Sequence, residues 1–159
     1  MKSNVRFLTH SALIAALYVV LTWISAVLHL SSGPIQLRLS EALTILPVFT
    51  PAALPGLFIG CILANFLSGS LVLDIVFGSI ATLLGAVGTY LLRKKSKYLA
   101  VIPPIVFNML IVPLVLQYAY GVQDAYWFLI LTVGAGQILS AGVGGLILHR
   151  SLSKTKLFH

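Results

Sequence analysis

Ionisable side chains are so scarce in this sequence that each one needs a physical reason. There are three acids, Glu41, Asp74 and Asp124, against ten lysines and arginines. Arg38 and Glu41 stand three apart in QLRLSEALTILP, residues 36–47, between apolar runs. A carboxylate held at the end of an apolar segment can accept two adjacent N–H groups at once, and such charge-assisted pairs are strong. Asn65, Asn108 and Gln137 are amides that fall inside the apolar runs. An amide can donate to a carbonyl and accept from an N–H. Polar groups at membrane depth are costly, which makes them site candidates. Together these types suit recognition of a small polar ligand.

Each residue also has a structural explanation. Arg38 and Glu41 can pair with each other at i and i+3. Glu41 and Asp74 begin apolar segments, where a carboxylate complements the helix dipole. Asn108 and Gln137 can hydrogen-bond across two helices. Asp124 reads as an exposed helix start.

Several chemistries are excluded. His10, His29, His149 and His159 lie near segment ends without metal-ligand spacing. The chain has no HExxH, GxSxG or GxxxxGK[ST] motif, and its single cysteine, Cys61, cannot form an internal disulfide. A membrane-embedded enzyme would need an acid–base pair or metal ligands in the bundle, which three acids and scattered histidines do not favour, so no catalysis and no cofactor are expected. The net charge of +7 points to topology rather than to nucleic acid, because the basic residues cluster at segment ends.

The elements that position these groups must be solvated by lipid. The chain is 59% apolar and 8% charged, and its mean hydropathy is +1.06, whereas soluble domains are about 25% charged. Six helical segments are expected in one membrane domain over residues 1–159, at about 7–28, 40–50, 55–68, 74–92, 99–118 and 124–149. The second and third are too short to cross a hydrocarbon core of about 30 Å. The first follows a basic start, but its apolar run is too long for a signal peptide's, so it reads as retained. Residues 29–38, HLSSGPIQLR, read as a loop.

Six segments put both termini on one side. Nine of the ten basic residues then share that face, which should be cytoplasmic, and all three acids face outward with Arg38. Tyr118, Tyr120, Tyr126 and Trp127 bracket the last outer loop as interfacial aromatics. Small residues four apart, Ala12 and Ala16, Gly56 and Gly60, and Ser140 and Gly144, mark faces for close helix approach.

The run QLRLSEALTILP, followed by ALPGLFIGCILANFLSGS and LDIVFGSIATLLGA, resembles the QueT family, most densely from Gln36 to Ala86. That family comprises substrate-binding S components of energy-coupling factor (ECF) transporters for queuosine precursors. The resemblance implies an all-α integral membrane protein of a prokaryotic plasma membrane. It would have six transmembrane helices and cytoplasmic termini. Substrate would bind near the outer face. It further implies that Ala12 and Ala16 dock on a transmembrane coupling subunit, which works with two ATPase subunits. A queuosine precursor is a 7-deazaguanine, whose edge presents an N–H and an amino group beside a carbonyl. Glu41 or Asp74 would hold the two donors, and Asn65, Asn108 or Gln137 the carbonyl, with Arg38 nearby. Tyr118 and Phe107 are candidates for stacking on the ring. The alternatives are an S component for another vitamin or purine and a non-catalytic membrane assembly subunit.

Overall fold

The computed structural model describes residues 1–30 and 35–158. Part of the expected 29–38 loop, and His159, lie outside the described residues. The helices are α1 (Lys2–Val27), a 3-10 helix (Leu39–Val48), α2 (Ala53–Leu67), α3 (Val72–Leu92), α4 (Lys97–Ala100), α5 (Ile102–Tyr118), α6 (Tyr126–Gln137), a π-helical segment (Ile138–Gly144) and α7 (Gly145–Ser153). Four continuous stretches are long and apolar enough to cross a membrane: Lys2–Val27, Val72–Leu92, Lys97–Tyr118 and Tyr126–Ser153. Leu39–Val48 and Ala53–Leu67 are apolar but shorter. The expected six helices thus resolve into four of spanning length and a short pair.

The short pair is shielded by its neighbours. Residues 40, 41 and 43–47 are all buried. A 3-10 helix rises about 2.0 Å per residue against 1.5 Å for an α-helix, so ten residues reach about 20 Å rather than 15 Å. Pro47 lies within it and cannot donate an N–H, and the Thr44 hydroxyl donates to the Glu41 carbonyl at 2.6 Å. At its far end the Phe49 ring meets His149 at 5.0 Å.

Glycines set how close the helices lie. A Cβ on Gly56 would come within 2.8 Å of the Ser11 carbonyl, and one on Gly60 within 2.8 Å of the Tyr18 Cβ. This α2 stripe therefore packs inside the bundle against α1. Ala12 and Ala16, by contrast, are exposed on the outer side of α1. Gly85 on α3 lies against Pro104, where a Cβ would be 2.7 Å from its Cα, and the prolines occupy the first turn of α5, where the missing N–H has no helical acceptor. The Thr89 hydroxyl donates to the Ala100 carbonyl at 2.7 Å and ties α3 to the short α4.

Both ends of the chain meet at one end of the bundle. The His10 and Phe158 rings stand edge to face at 5.4 Å, and Lys97 lies within electrostatic range of His149. Leu13, Leu17 and Trp23 on α1, and Leu131 and Ile147 on the last span, point outward, as a lipid-solvated surface requires.

Candidate binding site

Glu41 lies in the first turn of the 3-10 helix and is 1% exposed. Tyr18, in the middle of α1, donates its hydroxyl to Glu41 Oε1 at 2.6 Å. Glu41 Oε2 is buried with no hydrogen-bond partner, and so is Gln137 Oε1. Both residues line one internal cavity with Arg38, Gln36, Asn108, Val112 and Val133. Leaving such atoms unpaired typically costs about 1–3 kcal/mol each. Both are acceptors with no donor among the described residues.

The neighbouring groups are held by the irregular backbone. The Arg38 N–H donates to Ser140 Oγ at 3.2 Å, which joins the start of the 3-10 helix to the π segment. Gln137 is the last residue of α6, immediately before that segment, and π bulges are frequent at functional sites. On Gly136 a Cβ would collide with the Gln36 carbonyl oxygen. The Asn108 Nδ2 is committed to the Pro104 carbonyl at 2.9 Å, so its oxygen is the group left to bind. Among the described residues, Arg38 and Glu41 form no ion pair, although the guanidinium feels both Glu41 and Asp74. The expected i,i+3 pair is therefore open, with cation and carboxylate both presented to the cavity. The cavity is small, about 20 Å³, which is room for about one water.

Asn65 and Asp74 form a second, adjoining cluster. Asp74 Oδ2 accepts from the Tyr120 hydroxyl at 2.8 Å, and that hydroxyl accepts from the Leu71 N–H at 3.3 Å. Burial, and then the bond to Asp74, push the Tyr120 phenol above its ordinary range, so it stays a neutral donor. Asn65 Nδ2 and Thr82 Oγ1 reach Cys61 Sγ at 3.6 and 3.4 Å. Asn65 and Asp74 meet over Gly78, where a Cβ would lie 3.3 Å from Asn65 Nδ2 and 3.4 Å from Asp74 Oδ1.

Of the residues singled out from sequence, Arg38, Glu41, Asn108 and Gln137 share the cavity, while Asn65 and Asp74 lie beside it. Phe107 is half-buried and is not among the lining residues. Tyr118 is 81% exposed and lines an external apolar groove with Leu73 and Phe77. The flat walls of the cavity are Val112 and Val133 rather than aromatic rings. Sequence reasoning missed Tyr18. Its signal was a phenol in mid-span, since a buried tyrosine hydroxyl seeks a partner. Gln36 was also missed, though it opens the same charged stretch.

No solved structure matches this chain. A protein named queuosine precursor transporter QueT, from Lactococcus lactis subsp. cremoris (strain MG1363), is 39% identical over 82 residues. That alignment covers 52% of this chain and 48% of the relative, so it spans about half the relative's length. One family model, described as QueT transporter, matches residues 8–154 of the 159, and the chain therefore belongs to the QueT transporter family.

Proposed function

We propose that this protein is the substrate-binding S component of an ECF-type importer. It would take up a queuosine precursor from outside and deliver it with a coupling subunit and two ATPase subunits. The observation that carries this reading is the pair of unpartnered oxygens, Glu41 Oε2 and Gln137 Oε1, facing one cavity. A 7-deazaguanine edge offers an N–H and an amino group side by side, which these acceptors and the Asn108 oxygen complement. The carbonyl beside them needs a donor, which the Arg38 guanidinium supplies. One cation and one carboxylate leave the cavity neutral overall, as suits an uncharged heterocycle. A second cluster at Asp74 is available to a cationic side arm. The present cavity volume is far below that of a fused bicycle, so the walls part on binding. Ala12 and Ala16, exposed on α1, are the proposed docking face for the coupling subunit.

Glu41→Gln keeps the shape and removes the charge. Queuine affinity, measured by titration calorimetry on the purified protein, should fall by about 1.5–3 kcal/mol, or roughly 10- to 150-fold. Unchanged affinity would remove Glu41 from the site.

A further inference from the structure

At the end of the bundle where the termini meet, two cavities adjoin and share part of their lining. The first has a volume of about 320 Å³ and is lined by Arg6, His10, Leu157 and Phe158. The second, about 200 Å³, shares His10, Leu157 and Phe158 with it and continues along the outer side of α1 past Leu13 and Leu17. The joined groove is thus cationic at one end and apolar along its length. From Arg6 to Leu17 the helix rises about 16 Å, roughly one leaflet of a hydrocarbon core near 30 Å thick. Leu13 and Leu17 are 57% and 42% exposed, so this edge of the groove faces outward, while its floor is formed by Ile14, Leu43 and Leu46 of the core.

The charge around this groove is uncompensated. Nine of the ten basic residues lie in the two terminal regions and the 93–97 turn, and the three acids lie elsewhere in the sequence. Among the described residues, Arg6 has no ion pair or hydrogen bond from its side chain. Its counter-charge therefore has to come from outside the chain. Within a bilayer, anionic headgroups are the abundant source of negative charge at this depth.

We propose that this groove binds one anionic phospholipid. Its phosphate would sit between Arg6 and His10, and an acyl chain would lie along Leu13 and Leu17. The Phe158 ring, edge-on to His10 and stacked at 6.2 Å on Phe49, closes the groove from below. An arginine and an imidazole N–H supply directed donors to the phosphate, while the leucines take the chain.

The test is native mass spectrometry and thermal unfolding of the purified, delipidated protein. The probes are phosphatidylglycerol, phosphatidylcholine and soluble glycerol phosphate. Phosphatidylglycerol should be retained as a single adduct and should raise the unfolding temperature, with the other two doing neither. Arg6→Gln should weaken that binding about fivefold, as removal of one interfacial cation does, whereas Arg6→Lys should retain most of it. Lys154→Gln, a nearby basic residue outside the groove lining, should leave it unchanged. Equal binding of phosphatidylcholine, or an equal loss in Lys154→Gln, would overturn the proposal by reducing it to general lipid or charge attraction. Stabilisation by glycerol phosphate alone would overturn it in favour of an anion site. Since Arg6 is exposed, its substitution leaves the core packing intact.

Discussion

At the scale of single residues, Glu41 matters because its two oxygens have different surroundings. Oε1 is bound by Tyr18 and Oε2 is not. Tyr18 thereby fixes which oxygen is presented to the cavity. Tyr18→Phe preserves the ring that packs in the core and removes only the donor. It should lower thermal stability by about 1–3 kcal/mol, because a second buried carboxylate oxygen is orphaned. It should also weaken queuine binding severalfold by freeing the carboxylate to turn. Lower stability with unaltered affinity would make Tyr18 a packing residue only. Arg38, Glu41, Asn108 and Gln137 were legible in the sequence because polar groups are rare among so many apolar ones. Tyr18 was not. Its importance depends on a carboxylate 23 positions away, and the mid-span phenol says that a partner exists without saying which.

At the scale of elements, the cavity lies between α5, the end of α6 and the stretch that leads into the 3-10 helix, and a glycine in α6 lets that stretch come close. Gly136→Ala should be destabilising by about 1–3 kcal/mol through overpacking, because its Cβ would strike the Gln36 carbonyl. It should also weaken ligand binding, since Gln36 and Gln137 both line the cavity. Gly142→Ala is the matched control. There the nearest atom to a new Cβ is Ile105 Cδ1 at 3.5 Å, an ordinary contact, so thermal unfolding should change little. Similar losses in both variants would show that the whole segment, not the Gln36 approach, is sensitive. Length arithmetic alone marked residues 40–50 and 55–68 as too short to cross, and the observed helices there are the two shorter ones. The 3-10 and π windings were not legible. Both arise from packing between distant segments, as in the Arg38–Ser140 bond, and leave no local periodicity to read.

At the scale of the whole molecule, charge is sorted along the chain, and that sorting was visible from composition and segment count. Orientation follows as a testable statement. Lys95→Cys should be protected from a membrane-impermeant thiol reagent in intact cells, and Gln123→Cys should be labelled. The native Cys61 is 1% exposed and should stay silent in both. The reverse pattern would invert the protein in the membrane. One further consequence belongs to the 3-10 helix, which runs from Glu41 at the cavity to Phe49 beneath His149 and Phe158. Rewound as an α-helix, its ten residues would span about 5 Å less. Such a rewinding would draw the Phe49 end toward Glu41, so a change of winding at the cavity would reach the ring contacts at the other end.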